Sequence, residues 1–157
     1  MPNPSQWREL GILLFVANRA LEERAFAAVL AAGVTDITVA QARVAARIGP
    51  DGTRVSELAA QARVTKQSAA FLVEQLEAAG YVERVPDPAD GRARLVRLTA
   101  RADKVVRAAN TEVERVLDEW ADHVGADRLR QLYEVLRDLR ELTDPWHRGN
   151  LDTFRDR

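Results

Sequence analysis

Cysteine is absent from the 157-residue sequence, histidine occurs only twice, and no apolar run approaches the ~20 residues that a membrane-spanning helix needs. Without cysteine the chain can form no disulfide, thiol nucleophile or cysteine-ligated metal site, and this fits the cytoplasm. His123 and His147 lack the i, i+4 spacing that places two ligands on one helix face, so no metal site is predicted. The opening residues, MPNPSQWREL, lack the basic segment and apolar core of a secretory signal. We therefore expect a soluble, cytoplasmic protein without a membrane partner.

Sequence signatures of catalysis are missing as well. No serine stands in a nucleophile-elbow motif, and no glycine-rich phosphate-binding loop is present. The carboxylates are spread over predicted helix surfaces and are not paired among apolar neighbours. These absences predict that the protein is not an enzyme and needs no cofactor.

The net charge of −1 at pH 7 excludes a protein that is basic over its whole surface. The charge is nevertheless distributed unevenly. From Arg84 to Arg107 seven basic residues accompany three acidic ones, whereas from Glu112 to Asp144 ten acidic residues accompany five arginines. The first of these regions suits a polyanion, and the second suits a different kind of partner.

Helical patterns dominate both ends of the chain. Apolar residues at intervals of three and four predict a long amphipathic helix from residue 6 to about 32. Thr38 is a favourable N-cap for a second helix, which should stop at the turn formed by residues 49–52. Thr99 can open a long final helical region, which Gly125 divides in two.

The middle of the chain carries a different pattern. Ser56 is a plausible N-cap for a short helix, Thr65 can cap the helix that follows, and Gly80 ends that second helix. Two β-prone runs then flank a loop of eight residues, whose prolines should prevent either strand from continuing into it; in chain order these segments are YVERV, PDPADGRA and LVRL.

This order of elements predicts a mainly α-helical fold with a small β-wing, a winged helix-turn-helix. The first turn of the second helix of such a unit can enter the DNA major groove, and a basic wing can follow the backbone or reach the minor groove. The candidate DNA contacts on the helix are Thr65, Lys66, Gln67 and Ser68, and those on the wing are Arg92 and Arg94.

Simpler interpretations remain open for several of these residues. Arg92 and Arg94 can be solvated hairpin charges, and Thr65 can be only an N-cap. Phe71 lies on an exposed face by register but can equally be a packing residue. Winged helices also serve as protein-interaction modules without specific DNA binding, and the low net charge permits that alternative.

The segment VSELAAQARVTKQSAAFLVEQLEAAGYVERVPDPADGRARLVRLTARA resembles the MarR family of winged helix-turn-helix transcriptional regulators. The agreement is strongest in GYVER and in DPADGRARLVRLT. In two places the chain departs from the family pattern: Phe71 and Gln75 stand where many relatives have arginine, and Pro88 replaces a common wing arginine. These departures favour a lighter helix footprint and a larger role for the wing.

The resemblance implies a homodimer built by the first and last helices and an inverted-repeat operator on double-stranded DNA. It assigns residues 1–36 to an N-terminal dimerisation helix, residues 37–100 to the DNA-binding lobe, and residues 101–157 to C-terminal dimerisation helices and a tail. It also makes Asp90 the acid that holds a wing arginine in place. The implied activity is transcriptional regulation, as a repressor.

The resemblance further implies a small aromatic or anionic effector bound where the dimerisation helices meet the DNA-binding lobe. Aromatic side chains and two arginines are available to line such a crevice, although no pattern places them there; they are Trp7, Phe15, Arg19, Arg43, Trp120 and Tyr133.

Overall fold

The computed structural model describes residues 3–144, which form six α-helices, one 3-10 turn and a two-stranded antiparallel sheet. The predicted helical fold with a small β-wing is confirmed. The elements in chain order are α1 (Pro4–Ala31), α2 (Val39–Ala45), α3 (Val55–Ala62), α4 (Lys66–Ala78), β1 (Val82–Asp87), β2 (Asp90–Leu98), the 3-10 turn (Ala100–Ala102), α5 (Asp103–Val124) and α6 (Ala126–Thr143). Within residues 3–144 no helix is both long and apolar enough to cross a membrane.

Local capping signals set where two of the helices begin. Thr38 forms a capping box with Gln41, in which Thr38 Oγ1 accepts from the Gln41 amide at 3.2 Å and Gln41 Oε1 accepts from the Thr38 amide at 2.8 Å. Thr65 Oγ1 accepts from the Ser68 amide at 3.0 Å at the start of α4. Both predicted N-caps are therefore confirmed, and Gly80, with φ of +78°, ends α4 as predicted.

The predicted N-cap at Ser56 is wrong, because α3 begins at Val55, two residues before the start that a cap at Ser56 implies. Arg54 occupies the N-cap position and makes no side-chain capping bond. Just before it, Thr53 exchanges two backbone hydrogen bonds of 2.9 Å with Val96 of β2. This bridge holds Thr53 against the wing, and α3 begins two residues after it.

The wing hairpin is longer and tighter than the sequence predicts. The turn contains only Pro88 and Ala89, and both strands extend into the segment that was expected to be a loop. Pro86 pairs with Arg94 inside the ladder, next to a register shift between Pro86 and Asp87. A proline is tolerated there because β1 has β2 as its only ladder partner, so the missing amide hydrogen is not needed on the open side.

The main core lies in the lobe formed by α2, α3, α4 and the wing, against the end of α1 and the start of α5. Its most deeply buried members are aliphatic, each at most 2% exposed: Val29, Val44, Leu58, Val73, Leu76, Val82 and Val96. Arg24 connects α1 to α5, because its Nε donates to Glu112 at 2.9 Å and its guanidinium also binds Glu119. These two hydrogen-bonded carboxylates raise the pKa of Arg24 further.

The first half of α1 and the whole of α6 expose apolar side chains. On α1 these side chains surround the helix and do not form the single stripe that the sequence predicts, since five consecutive apolar residues, Ile12 to Val16, are all exposed. No residue of α6 is buried. Its exposed apolar residues follow helical spacing on one side: Leu132, Val135, Leu136, Leu139 and Leu142. Together the two helices present more apolar surface than an isolated domain usually leaves in water.

Candidate nucleic-acid interface

Helix α4 presents its first turn to solvent. The four predicted contact residues, Thr65 to Ser68, are all exposed, and Thr65 Oγ1 also donates to Ser68 Oγ at 2.8 Å. The opposite side of the helix is fixed in the core by Ala69, Val73 and Leu76. The helix therefore holds a rigid polar end outward, with amide groups and a positive dipole available to an anion.

The turn between α3 and α4 depends on Arg63, which sequence reasoning did not select. Arg63 adopts the left-handed conformation with φ of 55° and ψ of 43° and opens the three-residue connection between the two helices. Glycine or asparagine usually occupies such a position. The side chain of Arg63 is exposed, so this turn adds a cation beside the start of α4.

The wing arginines fall into two groups. Arg84 pairs with Glu77 at 3.1 Å, and Arg97 pairs with Glu83 across the hairpin at 2.7 Å. Arg92 and Arg94 are exposed, and neither guanidinium has an ionic or hydrogen-bonding partner among residues 3–144. The predicted contact arginines are thus the uncompensated charges of the wing.

A partly buried ion pair fixes the tip of the wing to the start of α3. Asp87 is 7% exposed and accepts from the Ala89 amide at 2.9 Å and from Arg54 Nε at 2.8 Å. The amide of Ala89 and then the Arg54 guanidinium lower the pKa of Asp87. Arg54 lies 33 positions from its partner, and no sequence pattern joins the two.

Asp90 has a different role from the expected one. Its Oδ1 accepts from the Arg92 backbone amide at 3.1 Å, and its Oδ2 lies 3.8 Å from Arg54 NH2. It therefore shapes the hairpin turn and supports Arg54, and it does not bind the side chains of Arg92 or Arg94.

Helix α3 sets the separation between the two exposed basic regions. The Arg54–Asp87 pair places the wing tip at the N-terminus of α3, and the turn at Arg63 places α4 at its C-terminus. The eight residues of α3 span roughly 12 Å at 1.5 Å per residue. The fold thus presents a helix end and a basic hairpin at a nearly fixed spacing.

The Asp87–Arg54 pair predicts a specific pH dependence. A carboxyl whose pKa falls on folding stabilises the fold above its ordinary pKa of 3.8, and the contribution disappears as the pH falls through the lower folded-state pKa. The difference in free energy of unfolding between the wild type and Asp87→Asn should therefore be constant near neutral pH and shrink below pH 3.8. Urea unfolding at several pH values measures it, with exposed Asp51→Asn as the matched control. A difference that does not change with pH contradicts the assignment.

A cavity of about 210 Å³ lies between helices α1 and α5 on one side and the winged lobe on the other. Its walls come from α1, α2 and α5 and from the base of the wing, and they are mainly apolar; representative lining residues are Phe26, Val29, Ile37, Val105 and Leu98. Glu22 and Arg43 supply charge at its edge, where Arg43 NH2 lies 3.3 Å from Glu22 Oε2.

Of the six residues predicted to line the crevice, only Arg43 lies on this cavity. Trp7 and Phe15 are exposed on the first half of α1, and Arg19 pairs with Glu23 at 3.6 Å. Trp120 is half-buried on α5, and Tyr133 is exposed on α6. His147, one of the two histidines, lies outside the described residues. Residues 3–144 hold no cluster of potential metal ligands.

Tyr81 joins the cavity to a polar cluster that sequence reasoning missed. Its ring lines the cavity, and its hydroxyl donates to Asp36 Oδ1 at 2.5 Å. Arg101 donates to Asp36 Oδ2 at 2.9 Å and lies 4.9 Å from the centre of the Tyr81 ring. The Tyr81 hydroxyl is the main cause of a lowered pKa at Asp36. The cluster connects the α1–α2 loop, the base of the wing and the 3-10 turn that precedes α5.

A helix-turn-helix with an exposed polar first turn, followed by a two-stranded wing with unpaired arginines, defines the winged helix-turn-helix class. Comparison with known proteins refines this class. The sequence profile of the MarR family matches residues 35–93. The HTH-type transcriptional regulator FarR of Neisseria gonorrhoeae is 27% identical over 145 residues, which cover 92% of this chain and 97% of FarR.

Solved structures of the same class superimpose over nearly the whole described chain. The crystal structure of NadR in complex with 4-hydroxyphenylacetate has a TM-score of 0.66 and 26% identity, covering 88% of this chain and 97% of NadR. CouR from Rhodococcus jostii RHA1 bound to p-coumaroyl-CoA has a TM-score of 0.63 and 20% identity, covering 90% and 96%. In the sequence of residues 35–93 and in its fold, the chain is similar to the MarR family of transcriptional regulators.

Proposed function

We propose that the protein is a homodimeric repressor that binds an inverted-repeat operator through α4 and the wing and is released by a small aromatic or anionic effector. In this proposal residues 37–100 bind DNA in the cytoplasm, and residues 1–36 and 101–157 form the dimer. The DNA contacts are Thr65, Lys66, Gln67, Ser68, Arg92 and Arg94, with Asp90 shaping the hairpin that carries the two arginines.

The observation that carries the proposal is the set of uncompensated cations around α4 and the wing. Four cations have no ion-pair partner among the described residues: Arg63, Lys66, Arg92 and Arg94. The other wing arginines, Arg84 and Arg97, are paired with glutamates. Phosphate contacts of this kind provide most of the non-specific affinity of a DNA-binding protein. Polar side chains on the first turn of α4 can then read base edges in the major groove.

Dimerisation is supported by the uncovered apolar surface of α1 and α6. A twofold interface brings the same surface from both subunits together, so both exposed helices can be buried at once. A dimer also presents two copies of α4, which matches half-sites spaced one helical turn, about 34 Å, apart. In this proposal the protein is a repressor because it blocks transcription when it occupies the operator.

The cavity supports control by a small molecule. Helices α1 and α5 form one side of it, and α2 and the base of the wing form another, so a ligand there can change how the lobe is held relative to the dimerisation helices. The NadR and CouR structures hold 4-hydroxyphenylacetate and p-coumaroyl-CoA, both of which contain aromatic rings. A coupling free energy of about 1.4 kcal/mol is sufficient for a tenfold loss of operator affinity.

The direct test is binding of the purified protein to a mixed-sequence DNA duplex, measured by fluorescence anisotropy as salt is raised. A DNA-binding protein should bind at low salt and lose affinity linearly with the logarithm of salt concentration. A protein-interaction module without DNA affinity should show no saturable binding, which would reject the proposal in favour of that alternative.

Substitution of the first turn of α4 should change base preference. We expect Gln67→Ala, or Ser68→Ala, to cost about 1–3 kcal/mol at one operator position and little elsewhere, because a lost base contact is local. Binding to a panel of single-base operator variants measures the effect, with exposed Ser56→Ala as the control. An unchanged preference in both variants would remove Gln67 and Ser68 from the contact set.

The cavity assignment predicts which arginine an acidic effector needs. Arg43→Ala should weaken binding of 4-hydroxyphenylacetate by roughly 1.5–3 kcal/mol, the usual worth of a hydrogen bond to a charged group. Binding of the neutral amide of the same compound should change little. Titration calorimetry and operator release provide the readouts, and Arg19→Ala is the matched control because Arg19 lies off the cavity. If a broad set of aromatic acids neither binds nor releases DNA, the effector part of the proposal fails.

A further inference from the structure

Helix α4 carries an exposed phenylalanine on the face that points away from the core. The buried residues Ala69, Val73 and Leu76 fix one side of the helix, and Gln67 and Phe71 lie on the other side at i and i+4. The Phe71 side chain is 58% exposed. No contact within the described residues accounts for a large apolar ring at this position.

The charges along α4 define how the helix can approach DNA. Lys66 is its only basic residue, whereas Glu74 lies beyond Phe71 and repels phosphates, and Glu77 is already paired with Arg84. The N-terminal half must therefore enter the groove first. Phe71 is the largest side chain on the leading face of that half, one turn beyond Gln67.

We infer that Phe71 reads the C5-methyl group of a thymine in the operator half-site. This inference rests on the proposed DNA-binding function and specifies its sequence preference. The thymine methyl is the one apolar group that a base pair shows in the major groove, and phenylalanine is among the side chains that contact it. A buried contact of this kind removes both the methyl and the ring from water.

Helix geometry sets the distance between the thymine methyl group contacted by Phe71 and the base contacted by Gln67. Four residues correspond to about 6 Å along the helix axis, which is close to two base-pair steps of roughly 3.4 Å each. Gln67 is suited to adenine, because its amide matches the donor and acceptor of that base. The half-site should therefore contain a thymine about two steps from the base pair contacted by Gln67.

Replacing single thymines by uracil in the selected operator tests this inference, because uracil lacks only the methyl group. The full-length wild type should lose about fourfold in affinity per half-site at one symmetric thymine position, equivalent to about 0.8 kcal/mol at 1.4 kcal/mol per factor of ten. Phe71→Ala should bind the thymine and uracil duplexes equally. Gln67→Ala, the matched control on the same face, should keep the discrimination. At the same position 5-methylcytosine should be bound more tightly than cytosine by the wild type alone.

Each outcome is decisive. A wild type that binds every uracil duplex as tightly as the thymine duplex overturns the inference and leaves the proposed function standing. Undiminished discrimination in Phe71→Ala also overturns it. If Phe71→Ala binds too weakly to measure, Phe71→Leu replaces it: reduced discrimination supports the contact, and full discrimination overturns it. A selection that yields no operator rejects the proposed function and this inference together.

Discussion

Leu136→Asp should convert the proposed dimer into a monomer and remove most of the operator affinity that we propose for it. Leu136 is 41% exposed in the single chain and lies in the middle of the apolar side of α6. A twofold interface contains the substitution twice, and each buried leucine contributes roughly 1.5–3 kcal/mol. The association free energy should therefore weaken by about 3–6 kcal/mol, or roughly two to four orders of magnitude in the dimerisation constant.

Sedimentation equilibrium at micromolar concentration measures this change, and circular dichroism shows whether the monomer stays folded. Arg130→Asp is the matched control, because it introduces the same carboxylate on the opposite, polar side of α6. The control should remain dimeric and bind DNA. A monomeric wild type in the same range would show that the apolar faces of α1 and α6 do not form a dimer.

Removing both unpaired wing arginines should change the salt dependence of DNA binding more than any other pair of charge substitutions in the lobe. Each lost phosphate contact lowers the slope of log K against log salt by about 0.9, and a dimer on two half-sites loses two contacts for each substitution. Arg92→Ala or Arg94→Ala alone should therefore lower the slope by nearly two, and the double variant by nearly four. The loss should be similar across operator sequences.

The neighbouring Arg97 provides a stringent control on the same strand. Arg97→Ala changes the net charge by the same amount, but its guanidinium already pairs with Glu83 at 2.7 Å. Its effect on the salt slope should be well below that of either single wing variant. Equal slopes for the wild type and the double variant would exclude the wing from the interface.

Signals that act within a few residues allowed several features to be predicted from the sequence. Thr38 and Thr65 cap helices because a short hydroxyl side chain reaches the third amide ahead, and Gly80 ends α4 because it adopts a positive φ. The exposed first turn of α4 follows from the same local logic. Apolar spacing likewise revealed the long helices at both ends.

Features set by distant contacts could not be predicted in this way. The start of α3 depends on the Thr53–Val96 bridge, and the length of the wing depends on the edge position of Pro86. The Arg54–Asp87 pair joins residues 33 positions apart. The composition of the cavity wall likewise depends on how three helices and the wing meet, so only one of the six proposed lining residues lies on it.

Selection of bound fragments from a pool of random DNA is the most direct test of sequence-specific operator binding by this protein. We expect enrichment of one inverted repeat whose half-sites are centred about 10 base pairs apart, as two copies of α4 in a twofold dimer require. Enrichment should disappear with Leu136→Asp and persist with Arg130→Asp. Recovery of unrelated fragments without a shared motif, from a wild-type protein shown to be folded, would contradict the claim that this protein is a sequence-specific DNA-binding regulator.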